Sequence, residues 1–202
     1  MMLKRTQTAS LALMASVAML LSGCASTKVS VTGLDAEQTR YPLPLCPKEP
    51  VKASIAVVWG TQWRPDQKEP LLREDAAQRG LVSYFSTLPC GPALSVQRLP
   101  APFVVAGISD QAAFAKLPGL AKVANKVVLI SVRELGPKLL IGLPNLVEGG
   151  TEVVLDVMVL DAKRGTKDAE FKTHWQHGGP FYIKGVKSLD EDMKMALTAA
   201  FQ

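Results

Sequence analysis

Hydrophobic and polar positions along this chain recur with two different periods, and the switches between them divide it into elements. Val51, Ala53, Ile55, Val57 and Trp59 occupy every second position, the period of a half-buried strand. Thr61 to Pro70 is a polar, proline-containing loop. A helix follows, with Ala77, Leu81, Tyr84, Phe85 and Leu88 on one stripe and Pro89-Cys90-Gly91-Pro92 as its stop. Leu94 and Val96 mark a short second strand, which Pro100 and Pro102 break. Between Ser109 and Asn125 a helical segment carries Phe114 and Leu117 on one side, is interrupted at Pro118-Gly119, and resumes through Leu120 and Val123.

The second half is richer in strands. Lys126 to Leu135 is a β-branched run, and in Thr151 to Asp161 the residues Val153, Leu155, Val157 and Val159 share one face, so both are predicted to be central strands of one sheet. Asp161 to Thr166 has the polar, glycine-containing character of a hairpin turn, and Ala169, Phe171, Thr173 and Trp175 alternate along the returning strand. Ser188-Leu-Asp-Glu191 has the spacing of a capping box opening a final helix, whose stripe is Leu189, Met193, Ala196, Leu197 and Ala200. The order β-α-β-α-β-β-β-α predicts a mixed α+β fold, a single sheet with helices packed on it.

The first residues follow a different logic. Lys4 and Arg5 precede an apolar run from Leu11 to Leu21 that is too short to remain as a membrane-spanning helix, which is the pattern of a signal peptide. The run ends in Leu21-Ser22-Gly23-Cys24, which resembles the lipobox of bacterial lipoproteins. That resemblance implies cleavage before Cys24 and acylation of its thiol with palmitate-type chains, two or three of which hold a domain to a membrane effectively permanently. An ordinary secretory signal with a chance cysteine, or an uncut anchor, is the alternative. The expected organisation is a signal peptide over 1–23, a lipidated tether over 24–45, poor in large apolar groups, and a periplasmic α/β domain over 46–202. Ala25-Ser26 follow the cysteine where an Asp would retain a Gram-negative lipoprotein in the inner membrane. The resemblance therefore implies the inner leaflet of the outer membrane.

Charge narrows the functional classes. The formal charge is +5 and falls to +3 without Lys4 and Arg5. Basic residues are scattered among acids and do not cluster with aromatics along one face, which argues against a nucleic-acid partner. With Cys24 acylated, Cys46 and Cys90 remain as an even pair in an oxidising compartment, and a disulfide is the natural inference. Two buried free thiols or a metal pair are the alternatives, although no His, Cys or acidic cluster accompanies either cysteine.

Several segments together resemble a group of envelope lipoproteins. They are the helix ending before Cys90, then Ala93 to Leu99, Lys126 to Val132, and above all Val153-Val-Leu-Asp-Val-Met-Val-Leu-Asp-Ala-Lys-Arg-Gly165. The group comprises the curli-secretion lipoprotein CsgG, the Pel polysaccharide lipoprotein PelC, the LpoB-type activators of peptidoglycan synthases and the N-terminal domain of TolB. Its shared feature is a strand ending in an Asp-Ala-x-x-Gly hairpin, matched here by Asp161, Ala162 and Gly165. The resemblance spans roughly residues 50 to 202. Residues 136–150 are too few for the transmembrane hairpins of the curli channel, so no self-contained pore is expected.

Chemistry-bearing motifs are sparse. His174 and His177 are the only histidines. His174 is expected to face away from Trp175 while His177 falls in the Gly178-Gly179-Pro180 turn, so the pair lacks the geometry and the third ligand of a metal site. No nucleophile elbow, phosphate-cradling loop or His-Glu-x-x-His stands in the chain, and Glu152 and Asp156 are expected on a solvated strand face. No enzyme, metal or cofactor is expected.

The segment Gly136 to Gly150 is the unusual one. Where a polar connection is expected between two strands, it carries Leu139, Leu140, Ile141, Leu143, Leu146 and Val147. Either the flanking strands extend into it and bury these residues, or Leu139, Leu140, Ile141 and Leu143 form a surface for a partner or for the membrane itself. The expected function is that of an outer-membrane-anchored, non-catalytic accessory or assembly factor in envelope biogenesis, secretion or polysaccharide export. It would act through contacts with envelope proteins or further copies of the chain. A periplasmic module binding a glycan or lipid is the alternative.

Overall fold

A computed structural model describes residues 25–33, 45–46, 54–106, 112, 117, 119, 123–142, 146–180, 182 and 184–201. Its elements are strands β1 (Ser26–Gly33) and β2 (Ile55–Thr61), helix α1 (Pro70–Ser86), then β3 (Ser95–Arg98), β4 (Lys126–Gly142), β5 (Leu146–Asp161) and β6 (Thr166–Pro180), and finally helix α2 (Leu189–Phe201). The strands form one six-stranded sheet in the order β1-β6-β5-β4-β2-β3. Pairing is parallel for β3, β2 and β4, and antiparallel from β4 through β5 and β6 to β1. The mixed α+β fold with helices on a single sheet is thus the observed one.

Both helices pack on one face. Ile55, Val57 and Trp59 of β2, Val128, Ile130 and Val132 of β4, Val153 to Val159 at alternate positions of β5, and Phe171 and Trp175 of β6 meet Ala77, Leu81 and Phe85 of α1 and Met193, Leu197 and Phe201 of α2. On the opposite face Ala56, Val58, Leu129, Met158 and Leu160 are covered by Phe103, Val105, Leu117 and Ala124. That second cover explains why β2 is buried at every position although its sequence predicted a half-buried strand. A parallel strand between two neighbours with both faces covered has no solvent side. Val51 and Ala53 of the expected strand lie outside the described residues, as does most of the helix expected within 109–125.

Where α1 crosses α2, the chain uses Gly80. A Cβ there would stand 2.6 Å from the Asp190 carbonyl oxygen and 2.6 Å from the Met193 Cβ. Gly80→Ala is therefore expected to destabilise by about 1–3 kcal/mol through overpacking. This holds even though alanine is the better helix former by about 1 kcal/mol. Chemical denaturation measures it, and a gain in stability would mean that the helices can part at this crossing without cost.

Other local expectations are replaced by different geometry. Ser188 closes a short 3-10 turn over Val186–Ser188, and its hydroxyl donates to the Gly185 carbonyl, 3.4 Å, in place of the expected capping box. The β5–β6 turn is built as its residues suggest. The Asp161 carboxylate accepts the backbone N–H groups of Lys163 and Arg164, and Gly165 adopts φ 69°. These bonds, led by that from Arg164, hold the Asp161 carboxyl below the ordinary range. Cys46 and Cys90 are disulfide-bonded with Cα atoms 5.4 Å apart, which fastens the segment before β2 to the end of α1.

The stretch expected to be a tether contributes β1, paired along its length with β6. Edge strands need no apolar face of their own, so alternation in Ser26–Gly33 is weak and its residues are mostly exposed.

Candidate functional site

Strand register places the beginning of the described chain at one particular end of the sheet. Ser26 lies opposite Gly178, Gly178 opposite Gly150, and Gly150 opposite Lys138. From that level β4 and β5 continue as a hairpin through Gly142 and Leu146, past the last paired residue of β2, which faces Val132. A bulge at Arg133, between Val132 and Glu134, keeps Leu135 on the helix side, where it is buried. Four and six residues further out along the same strand, Leu139 and Ile141 are 55% and 77% exposed. Val147 pairs with Ile141 across the hairpin.

The strands therefore do extend into the 136–150 segment, over 136–142 and 146–150, as one of the two expectations had it, without covering Leu139 and Ile141. Leu140 pairs with Glu148 through its backbone. Leu143 and Cys24 lie outside the described residues.

At the base of this hairpin a pocket of about 240 Å³ is lined by Ser26, Lys28, Lys138, Glu148, Gln176 and His177, with Gly149, Gly150 and Gly178 as its floor. Those glycines let the strands approach closely. A Cβ on Gly178 would stand 2.1 Å from the Gly149 carbonyl oxygen, a backbone atom that cannot swing away. His177 belongs to β6 and not to a turn, because pairing with β1 and β5 continues to Gly178 and beyond. Its ring stacks on Trp175 with centroids 5.8 Å apart, Tyr182 meets it edge-on at 5.4 Å, and Thr27 Oγ1 lies 2.8 Å from its Nδ1.

His174 points to the other face, as the alternation predicted, and joins Glu152 through Nε2. Gln176 Nε2 donates to the same carboxylate at 2.9 Å, and Lys138 Nζ stands 3.8 Å away. Burial would raise the Glu152 carboxyl, but the hydrogen bonds from Gln176 and His174 and the charge of Lys138 outweigh it and hold it below the ordinary range. Asp156 is buried and paired with Arg133 at 2.9 Å. The two carboxylates are thus partnered instead of merely solvated, a feature the sequence did not reveal because both partners come from other strands.

With His174 and His177 on opposite faces of β6 they cannot share a ligand. Among the described residues no three His, Cys, Asp or Glu side chains gather as a metal site would require. Ser30 pairs with His174 across β1 and β6, and the bond seen on the imidazole Nε2 goes to carboxylate and amide groups.

No family model matches this chain, and no curated protein matches it. Solved structures share parts of its outline. A PelC dodecamer from Paraburkholderia phytofirmans is 13% identical, covers 89% of this chain and 98% of its own, and aligns with a TM-score of 0.39. A neuraminyllactose-binding hemagglutinin homolog from Helicobacter pylori is 13% identical over 80% of this chain and 84% of its own, with a TM-score of 0.36. Lipoprotein GNA1162 from Neisseria meningitidis is 18% identical over 72% of this chain and 95% of its own, with a TM-score of 0.32. These likenesses are remote, and no ligand or assembly passes from them to this chain.

Proposed function

We propose that this chain is an outer-membrane-anchored lipoprotein and a non-catalytic accessory factor of the envelope, working through contacts with other envelope proteins or with copies of itself. The observation that carries the reading is β1. It begins two residues after the Leu21-Ser22-Gly23-Cys24 motif and forms the edge of the sheet among the described residues, with its first five residues exposed. An eight-residue edge offers its outer row of N–H and C=O groups to an added strand. Being tied to the lipid, that edge would be held at a fixed height above the membrane, where a partner can meet it. Glu152 is engaged by His174 and Gln176, and Asp156 by Arg133, which supports a structural use of these groups over hydrolysis.

Two measurements test this. Cys24→Ala is expected to abolish labelling by a fatty-acid probe and to remove the protein from the outer-membrane fraction, since the thiol is the acyl acceptor. A variant that still incorporates the probe would sink the anchoring half of the proposal. A photo-crosslinking residue at Lys28 or Ser30 in living cells should give discrete adducts with an envelope protein or a second copy, and the same probe at Lys163 should not. Equal or absent adducts at both positions would remove the partner half.

A further inference from the structure

We infer that the β4–β5 hairpin tip, through Leu139 and Ile141, inserts into the head-group region of the same membrane leaflet that holds the lipid. The inference rests on the anchoring reading above and adds an orientation to it. Its basis is register. Cys24 precedes Ser26 by two residues and so lies within about 7 Å of it, the reach of two extended residues. Ser26 is level with Lys138, while β4 continues four residues further to Gly142, roughly 14 Å along the strand. Acyl chains attached at Cys24 would therefore enter the bilayer beside a hairpin whose last pair, after the reach from Ser26 back to Cys24 is subtracted, stands about 7–14 Å past their attachment point. With the cysteine at the membrane surface, the tip reaches the depth of about 5–10 Å at which peripheral apolar groups are buried.

The side chains suit that place. Leu139 and Ile141 stand on one face two residues apart, Val147 lies across from Ile141, and all three are uncovered or only partly covered. In water such a cluster is unfavourable, and its transfer from water contributes on the order of 25 cal/mol per Å². Lys28 and Lys138 flank the pocket just above this level, where phospholipid phosphates would lie. The two lysines match that boundary, with the exposed Glu148, opposite Leu140, as the acid beside them, and this mix of charges would not suit a fully apolar protein interface. A protein partner capping the tip is the competing occupant, and the test is built to detect it.

The full-length, lipidated protein is reconstituted into vesicles of phosphatidylethanolamine and phosphatidylglycerol, with a single Ile141→Cys substitution carrying an environment-sensitive fluorophore. Lys163→Cys, in the turn at the opposite end of the sheet, serves as the reference. The label at 141 is expected to shift to the blue and to lose most of its emission when the lipids are brominated near the glycerol, and the label at 163 to do neither. Replacing Leu139 with Ser beside the label is expected to weaken the quenching without lowering Tm. A protein that floats with the vesicles while label 141 remains water-exposed overturns this inference and leaves the anchor intact. A blue-shifted label that brominated lipid does not quench means a protein covers the tip, and also overturns it. Failure to float with the vesicles overturns both readings.

Discussion

Lys184→Met is expected to lower stability by about 3 kcal/mol, because it strips the partner from a carboxylate that water cannot reach. Asp192 is fully buried in the first turn of α2, and Lys184 Nζ donates to its Oδ1 at 2.6 Å. Its Oδ2 has no hydrogen-bond partner among the described residues. The methionine keeps the aliphatic stem and loses the charge, so the cost isolates the ion pair. The dipole of α2 retains part of the stabilisation, on the order of 0.3–1 kcal/mol, since Asp192 stands near its N-terminus.

For a domain of this size the loss corresponds to a drop in Tm of roughly 6–12 °C. Changing both partners, Lys184→Met with Asp192→Leu, is expected to recover most of it, because two apolar groups leave no charge unpaired. Equal destabilisation by the single and double variants would refute the pairing account. Burial works against the Lys184 ammonium, but the hydrogen bond and charge of Asp192, with Tyr182, outweigh it and raise the group above 10.5. A folded-state value above the unfolded one means that the contribution is complete at neutral pH and fades as pH rises past 10.5. Alkaline titration of the wild type should show this loss, and the methionine variant should lack it.

The second large effect is that of the disulfide. Cys46 and Cys90 are 44 residues apart in sequence, and opening a loop of that length should cost about 4 kcal/mol in the chain-entropy description. Beyond the loop term, the bond holds Leu45 in the main core at the end of α1, where the Cys90 N–H also reaches the Cys46 sulfur at 3.2 Å. The variant Cys46→Ala with Cys90→Ala, compared by urea unfolding in otherwise identical chains, should show a markedly lower midpoint. Reduction of the wild type should reproduce that value and slow its migration in electrophoresis. A midpoint unchanged by either treatment would mean that the segment before β2 contributes nothing to the fold.

Some of this was written locally and some was not. The β-branched run of Lys126–Leu135, the apolar alternation in Thr151–Asp161, the stripe from Leu189 to Ala200, and the Asp161–Gly165 turn each depend on residues a few positions apart. Their elements could therefore be read without a structure, and so could the mixed fold that follows from their order. The pairing of Cys46 with Cys90 also follows once the third cysteine, Cys24, is set aside as the expected acyl acceptor. The sequence marked Leu139 and Ile141 as too apolar for a connection and left burial and a partner or membrane surface as its two alternatives.

Tertiary structure decided the rest, because it sets neighbours far apart in the chain. Burial of β2 on both faces depends on a cover contributed by Phe103 and Leu117, some forty residues away and more, and no period within β2 encodes it. The Ser26–Gly33 segment becomes a strand because β6 offers an edge; its alternation, Val29 and Val31 between polar residues, is too short to mark a strand by itself. Glu152 with His174, and Lys184 with Asp192, meet across strands or across a turn and helix. Above all, register alone brings Ser26 level with Lys138, residues more than a hundred positions apart. It thereby sets the hairpin beside the point from which a lipid would hang.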